Sequence, residues 1–501
     1  MSQTSETADP AKAGLYHPHL RSGRSRSAVF GVLWSSLHTM IPVVSSTLVF
    51  FVSALYLSPS DLGLFSLASS IVMTVIALSP IAFGEALVQR QSISQSYADS
   101  VFWMTMGVGA ILFTPFLLAA GPLSRWMGEP AIAALLPVLA LRIPLELAAA
   151  VPNAMIVRSM KFKMVALRTT IATSVSVVLT LSLLWAGYGY WALAISQVCA
   201  SLVICVIGFW ASGWRPGIEF DLGALRELTG YGLFASGTRM LTTMRLDQIV
   251  LGALGGTALL GLYFFAQRFY MMLTQLVGGA LSSVTHALLS TLQSDQEKTR
   301  QAFGIASFAA GCISLPMFTL LALLAPDVMA VLFDPQWQEA SIAVQMFCII
   351  GCIAGISVVQ GAFIRSQGRA DWWFWYQCLQ QLSSIVVILL TYRAGLQTMM
   401  IAIIIKSLLV WPVSVVMTTK LLGTGLFAYL RAFIAPAAAT VAMTVAVLGL
   451  PYLLPGMLPL EALILRWLAA GLIYTAVLSL LAYPQIKNIL RIISSKRETA
   501  A

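Results

Sequence analysis

Two related stretches decide the fold of this chain: Leu57-Ser-Pro-Ser-Asp-Leu-Gly63-Leu-Phe-Ser-Leu-Ala68 and Leu254-Gly-Gly-Thr-Ala-Leu-Leu-Gly261-Leu-Tyr-Phe-Phe-Ala266. Gly63 and Gly261 lie 198 residues apart. Further pairs follow at offsets that grow slowly: Pro115 with Pro316 at 201, Pro130 with Pro335 at 205, and Arg158 with Arg365 at 207. A duplicated unit that has gained small insertions produces this pattern. In a membrane chain such repeats are typical of transporters, which handle their substrate between the two halves.

The composition is that of a polytopic membrane protein. Of the 501 residues, 59% are hydrophobic and only 10% are charged, whereas soluble proteins carry about 25% charged residues. The net charge of +10 comes from Lys and Arg residues spread between the apolar segments. This distribution predicts membrane topology rather than binding to nucleic acid.

Apolar length predicts about 14 transmembrane helices, since each span needs about 20 apolar residues. Their approximate limits are 28–57, 62–83, 101–121, 132–156, 164–187, 190–212, 229–253, 257–289, 301–325, 339–364, 372–394, 397–420, 429–450 and 461–483.

These spans predict an all-α fold with two parallel six-helix repeats around a central cavity. Each repeat has an even number of spans, so both repeats enter the membrane from the same side and are related by an axis along its normal. The predicted divisions are a flexible cytoplasmic tail (1–27), an N-lobe of helices 1–6 (28–212), a cytoplasmic linker (213–228), a C-lobe of helices 7–12 (229–420), helices 13 and 14 (421–484) and a basic cytoplasmic tail (485–501).

The positions of Lys and Arg predict that both termini are cytoplasmic. On one side of the membrane the predicted connections carry most of the basic residues, whereas on the other side we find only Arg125, Arg393 and Arg466. Cytoplasmic loops are the ones enriched in Lys and Arg. The asymmetry also favours an even number of spans.

Cations inside the predicted spans are the main candidates for substrate binding. A charged side chain at this depth costs about 2.5–3.5 kcal/mol or more, so it is expected to face water, a carboxylate or an anionic ligand. Counting a rise of about 1.5 Å per residue places four cations near the midplane: Arg142, Arg239, Arg268 and Lys406. We expect them to line a cationic cavity.

Two polar positions accompany these cations. Gln275 follows Arg268 by seven residues and therefore shares its helix face, and His38 lies on a weaker polar face of the first span. Both faces could line the cavity, although small and polar residues also mediate helix packing. A lone His such as His38 is more often a hydrogen-bonded packing residue than a proton relay.

Arg245 and Asp247 are expected near the outer end of span 7. They are two residues apart and do not share a helix face. Asp247 either forms a salt bridge with another helix or takes part in gating or substrate binding.

Two acidic residues lie close to an arginine along the chain. Arg142 and Glu146 stand at i and i+4 and should largely neutralise each other, which makes Arg142 a weaker ligand candidate than Arg268. Glu85 lies beside Arg90 at the predicted cytoplasmic mouth, where it either pairs with that arginine or takes part in the cavity and its gating.

No enzyme signature is found in the sequence. There is no Gly-x-x-x-x-Gly-Lys-Ser/Thr phosphate-binding loop. The six cysteines lie in apolar runs without the spacing of a disulfide framework or zinc site, and no pair of carboxylates has metal-binding spacing. The sequence therefore predicts neither catalysis nor a cofactor or metal site.

Several local motifs are similar to those of a known family. They are Ser58-Pro-Ser-Asp-Leu-Gly63, Gly84-Glu-Ala-Leu-Val-Gln-Arg90, Gly128-Glu-Pro130, Val151-Pro through Arg158, Arg215-Pro216, Leu246-Asp-Gln-Ile-Val-Leu-Gly252, Gly261-Leu-Tyr-Phe-Phe-Ala-Gln-Arg268 and Pro335-Gln-Trp337. From about Ser27 to about Asp371 the chain resembles the polysaccharide transporter family of oligosaccharide flippases. That family belongs to the multidrug/oligosaccharidyl-lipid/polysaccharide flippase superfamily.

The resemblance implies a substrate and a location. It implies alternating access, export of undecaprenyl-pyrophosphate-linked oligosaccharide across the bacterial inner membrane, and polysaccharide polymerase and chain-length or export proteins as partners. It also places Asp247 and Arg268 at family motif positions. Glu85 departs from the pattern, because relatives commonly have a small or apolar residue there.

Three other functions compete with this one. A cation-coupled multidrug exporter of the same superfamily would need intramembrane carboxylates, whereas this chain has cations. A non-transporting scaffold of a polysaccharide assembly complex would have no reason to keep four charges at the midplane. A lipid II flippase fits the local motifs less well. Pyrophosphate is a strong multidentate acceptor for Arg and Lys, which favours the oligosaccharide flippase.

Overall fold

The computed structural model describes residues 41–291, 296–453, 459–485 and 487. Within these ranges the chain is helical, and no strand is formed, which confirms the predicted all-α class. Ten segments of the described chain are long and apolar enough to cross a membrane. Two of them, Ile132–Arg158 and Ala370–Leu422, each contain two helices. The total of 14 spans stays a prediction, and His38 lies outside the described residues.

The helices are numbered here in chain order. Up to residue 255 they are α1 (Ile41–Tyr56), α2 (Pro59–Leu78), α3 (Phe83–Gln89), α4 (Gln95–Leu118), α5 (Ala120–Met127), α6 (Ile132–Ala140), α7 (Arg142–Arg158), α8 (Phe162–Trp185), α9 (Trp191–Ser212), α10 (Leu222–Thr243) and α11 (Leu246–Gly255). The helices that follow are α12 (Thr257–Thr291), α13 (Gln296–Leu332), α14 (Ala340–Ser366), α15 (Ala370–Thr391), α16 (Gly395–Leu422), α17 (Leu426–Leu453) and α18 (Pro459–Leu481).

Three predicted spans are broken in the structure. Span 4 (132–156) consists of α6 and α7, which are divided at Leu141. Span 2 (62–83) ends as a regular helix at Leu78, because Pro80 lacks a backbone N–H and disfavours helical geometry in the residue before it. A short 3₁₀ turn then leads into α3. Span 7 (229–253) is two helices, α10 and α11, because Met244 adopts an extended ψ of 139°. Hydropathy alone does not reveal these breaks, since apolar residues lie on both sides.

The chain forms two compact units, the first ending in sequence at Gly261 and the second beginning at Leu262. The first unit contains α1 to α11 and the first turn of α12, and the second contains the rest of α12 and the helices that follow. The lobe boundaries expected from the sequence, with a linker at 213–228, remain a prediction.

In the first unit the two repeated glycines meet. A Cβ atom at Gly63 would lie 1.7 Å from the carbonyl oxygen of Thr257, and one at Gly261 would lie 1.8 Å from that of Pro59. Pro59 and Thr257 are themselves 198 residues apart, so the contact is reciprocal between equivalent positions. Only glycine permits this approach of α2 and the first turn of α12.

Helix α11 is fastened to α2 by a buried amide. The Oε1 atom of Gln248, a residue that is only 4% exposed, accepts hydrogen bonds from the hydroxyls of Ser66 and Ser70. One turn later, Gly252 faces Leu67, and a Cβ atom there would lie 2.8 Å from that side chain. The repeated stretch therefore fixes both α11 and the start of α12.

The second unit is held by its own aromatic core and polar ties. Phe265 of the repeated stretch stacks on the buried Trp337 with ring centroids 4.3 Å apart. The guanidinium of Arg466 on α18 pairs with Asp327 on α13. Arg300 donates from Nε to the carbonyl oxygen of Leu422 at 2.7 Å and thereby caps the end of α16.

The glycine contact gives a stability prediction. Gly261→Ala should lower the free energy of unfolding by about 3 kcal/mol, because the new methyl group meets rigid backbone rather than a movable side chain. Thermal unfolding of the purified protein in a single detergent measures the change. Gly107→Ala is the matched control, since no atom lies within 4 Å of its Cβ position in α4. This control should leave the stability unchanged or raise it by about 0.5–1 kcal/mol. Equal unfolding temperatures for the two variants would show that the glycine contact is not a close one.

Candidate functional site

A cavity of about 500 Å³ lies within the first unit. Most of its wall comes from α3 and α7, and α8, α9 and α10 each add one residue. The lining residues are Ile81, Gly84, Glu85, Val88, Gln89, Glu146, Ala149, Ala150, Asn153, Ala154, Val157, Arg168, Ile204 and Arg239.

Close helix packing brings Glu85 and Arg239 to this cavity. Gly84 allows α3 to approach α7, where a Cβ atom would lie 3.0 Å from the carbonyl oxygen of Ala150. Gly232 on α10 packs on the ring of Phe83, and a Cβ atom there would lie 2.8 Å from it. Arg239 is two helical turns further along α10 and therefore lies on the same face as Gly232.

Glu85 pairs with Arg239 and not with Arg90. The Nη1 atom of Arg239 lies 3.4 Å from Oε1 of Glu85, and both side chains are about half exposed. Arg90 pairs instead with Glu227, which also accepts a hydrogen bond of 2.7 Å from the Tyr97 hydroxyl. These two partners lower the pKa of Glu227. Of the two expectations for Glu85, the pairing with Arg90 was wrong, because proximity in sequence does not reveal how α10 packs on α3.

Arg168 is a buried cation that the sequence analysis missed. It is 6% exposed, lines the cavity, and its Nε and Nη1 atoms are buried without a hydrogen-bond partner. Because Lys161 and Lys163 lie nearby in the sequence, Arg168 resembles one of the basic residues that flank the cytoplasmic end of a span. An Arg inside the apolar run of α8 was the available signal.

Arg158 shows what a structural buried arginine looks like in the same unit. It is 3% exposed and donates from Nη1 to the carbonyl oxygen of Leu87 at 2.6 Å and from Nη2 to that of Gln91 at 3.1 Å. A further hydrogen bond goes to the carbonyl oxygen of Arg90. Its guanidinium therefore satisfies carbonyl groups at and just beyond the end of α3, whereas that of Arg168 has no such partners at Nε and Nη1.

Both a donor residue and an acceptor residue of the cavity have buried polar atoms without a hydrogen-bond partner. Asn153 adds a buried Oδ1 atom that accepts no hydrogen bond. Both carboxylates in the wall are paired with an arginine, Glu85 with Arg239 and Glu146 with Arg142. Among the lining residues Arg168 thus supplies positive charge that no lining carboxylate neutralises. The cavity can accept an anionic group together with hydroxyl donors.

Arg142 lies next to the cavity in a network of its own. Its Nη2 atom lies 2.9 Å from Oε1 of Glu146, as the i, i+4 spacing predicts. Its Nη1 atom donates to the side-chain oxygen of Gln197, and Ser201 donates to Glu146 at 3.4 Å. The guanidinium is largely neutralised by this network.

The other predicted positions are distributed over both units. Arg245 is the N-cap of α11, and its backbone N–H donates to the hydroxyl of Thr74 at 3.4 Å. Asp247 lies in the first turn of α11, where a carboxylate is favoured by the helix dipole. In the second unit, Arg268 is half-buried on α12 and Gln275 is exposed on the same helix.

Lys406 is held within the second unit by α15. Its ammonium group lies 3.0 Å from Oε1 of Gln380 and 2.8 Å from the hydroxyl of Ser384. Gln380 donates in turn to the hydroxyl of Tyr376 at 2.8 Å. Two neutral side chains thus solvate this cation. A cationic cavity that combines Arg142, Arg239, Arg268 and Lys406 stays a prediction.

The chain is similar to known proteins of polysaccharide biosynthesis. Residues 54–342 match the family described as "Polysaccharide biosynthesis protein". The chain is 26% identical to the succinoglycan biosynthesis transport protein of Rhizobium meliloti (strain 1021), over 66% of this chain and 67% of that protein. It is 22% identical to an amylovoran biosynthesis protein of Erwinia amylovora, over 60% of this chain and 79% of that protein.

The fold is similar to that of a solved membrane protein. The structure of a lipid II flippase in an inward closed conformation superimposes with a TM-score of 0.73, covering 91% of this chain and 100% of that one at 13% identity. This likeness concerns the fold.

The two buried arginines give a paired prediction. Arg168→Met should leave the free energy of unfolding unchanged or raise it by up to about 3 kcal/mol, because it removes a buried charge without orphaning a partner. Arg158→Met should lower that free energy by about 3 kcal/mol or more, because it leaves buried carbonyl groups unsatisfied. Thermal unfolding of both variants in the same detergent measures the difference. Destabilisation of similar size in both would mean that Arg168 has a structural role.

Proposed function

The chain belongs to the polysaccharide biosynthesis protein family, and we propose that it is a flippase for undecaprenyl-pyrophosphate-linked oligosaccharides. It would move the repeat units of an exopolysaccharide, capsule or O-antigen across the bacterial inner membrane by alternating access. The observation that carries this proposal is the family match over residues 54–342. Relatives named for succinoglycan transport and amylovoran biosynthesis support the class of substrate.

The chemistry of the cavity is consistent with such a substrate. Phosphate oxygens are strong acceptors for a guanidinium, so Arg168 would bind the pyrophosphate or another anionic group of the oligosaccharide. The Oδ1 atom of Asn153 would accept a hydrogen bond from a sugar hydroxyl. The prenyl chain would stay in the lipid, where it needs no polar contact.

The residues identified from the sequence take roles within this proposal. Arg239, Arg268 and Lys406 would provide further anion contacts, with Arg142 contributing less because Glu146 neutralises it. The half-exposed Glu85–Arg239 pair would open when an anion competes for the guanidinium. Asp247, Arg245, His38 and Gln275 would line the path or act in gating.

Transport rather than catalysis follows from this proposal, with no cofactor. The protein would be a multi-pass inner-membrane protein with both termini in the cytoplasm. A polysaccharide polymerase and chain-length or export proteins would be its partners. A cation-coupled multidrug exporter is the alternative, but Glu85 and Glu146 are each paired with an arginine and offer a cationic drug little free acceptor capacity.

Complementation of a deletion strain tests the function. Deletion should abolish surface polysaccharide and cause lipid-linked oligosaccharide to accumulate in the inner leaflet, and the wild-type gene should reverse both changes. Normal polysaccharide together with altered drug sensitivity would contradict the proposal and favour the multidrug exporter.

The same strain tests the cationic contacts. Arg168→Met should reduce export about tenfold or more at normal protein levels, since a hydrogen bond to a charged group is worth about 1.5–3 kcal/mol. Arg268→Ala should abolish export while leaving the protein inserted. Arg125→Met, at an exposed position on α5, is the matched control and should complement fully. If the Arg168→Met variant exports at the wild-type rate, Arg168 is not part of the substrate site.

A further inference from the structure

A second cavity, of about 580 Å³, forms a groove between α15 and α16 in the second unit. Its wall includes Trp372 and Trp375 on α15, and Pro412, Val416, Met417 and Lys420 on α16. The groove is open, since Trp375 is 68% exposed and Val416 is 62% exposed. Both helices belong to a segment apolar enough to cross a membrane, so the surface they expose there is expected to face lipid.

One end of this groove is cationic. The guanidinium carbon of Arg369 lies 5.2 Å from the centroid of the Trp372 ring, and the ammonium nitrogen of Lys420 lies 5.7 Å from it. Arg369 is the N-cap of α15, and Lys420 lies in the last turn of α16. Asp371, in the first turn of α15, is the acidic residue of this stretch. Both cations therefore lie within 6 Å of the centre of one ring, and they outnumber the neighbouring carboxylate.

The groove continues from this cationic end along an apolar surface. Lys420 follows Pro412 by eight positions in α16, which corresponds to about 12 Å at a rise of about 1.5 Å per residue. Tryptophan side chains are typical of the level at which lipid headgroups meet the hydrocarbon region. Charge at one end and an apolar channel beyond it match the two parts of a lipid.

We propose that this groove binds one anionic phospholipid of the surrounding membrane. Its phosphate would lie between Arg369 and Lys420, where both cations donate to the phosphate oxygens. An acyl chain would lie against Trp375, Val416 and Pro412. Apart from Lys420, the side chains named in the wall offer no charged or amide group to bind a glycan, which favours a phospholipid over the oligosaccharide carrier. The groove shares no lining residue with the cavity of the first unit.

Lipid binding to the purified, delipidated full-length protein tests this proposal. Native mass spectrometry would measure the affinity for phosphatidylglycerol and for phosphatidylcholine with the same acyl chains. We expect phosphatidylglycerol to bind at least tenfold more tightly. Lys420→Gln should weaken its binding about fivefold, and Arg369→Gln combined with Lys420→Gln about 25-fold, from the typical contribution of a basic residue near anionic lipid.

Arg431→Gln is the matched control, because it removes the same charge from an exposed position on α17 outside the groove. This variant should change the affinity less than twofold. Val416→Trp should fill the groove and weaken the binding of both lipids. Three results would overturn the proposal: equal losses for Arg431→Gln and Lys420→Gln, equal binding of the two phospholipids, or tighter binding of undecaprenyl phosphate, which would make the groove a carrier site.

Discussion

The first unit depends on a backbone-to-backbone contact between the starts of α2 and α12. Gly63 lies against the carbonyl group of Thr257, and Gly261 lies against that of Pro59. Since no Cβ atom fits at either point, the two helices approach more closely than helices of larger residues can. The amide of Gln248 then fastens α11 to the same face of α2. The first part of α2 thus fixes both α11 and the first turn of α12.

Buried arginines in this chain fall into two kinds that hydropathy cannot distinguish. Arg158 donates hydrogen bonds to the carbonyl oxygens around the end of α3 and thereby stabilises the fold. Arg168 lies in the wall of a cavity with two of its nitrogen atoms buried and without partners. Burying such a group lowers the free energy of unfolding, and buried polar groups without partners are rare in folded proteins. The contrast supports the ligand-binding role proposed for Arg168 over a role in packing.

Much of the architecture could be predicted because the relevant signals are local. Apolar length locates the spans, and proline and glycine mark many of their ends. The Arg142–Glu146 pair follows from helical spacing alone. The partner of Glu85 could not be predicted, because it depends on the rotation of α10, which Gly232 and Phe83 determine by packing. Arg168 was missed because nearby lysines gave it the appearance of a topology signal.

The unpartnered state of the Arg168 Nε and Nη1 atoms has a consequence for the return of the empty protein. Under the proposed function, a carrier that works by alternating access returns without cargo after each release, unless it exchanges one ligand for another. An uncompensated guanidinium resists transfer into surroundings of lower dielectric, whereas an anionic ligand removes that resistance. The residue that would recognise the cargo would therefore also slow the return of the empty protein, so strong recognition of the cargo would limit the rate of turnover.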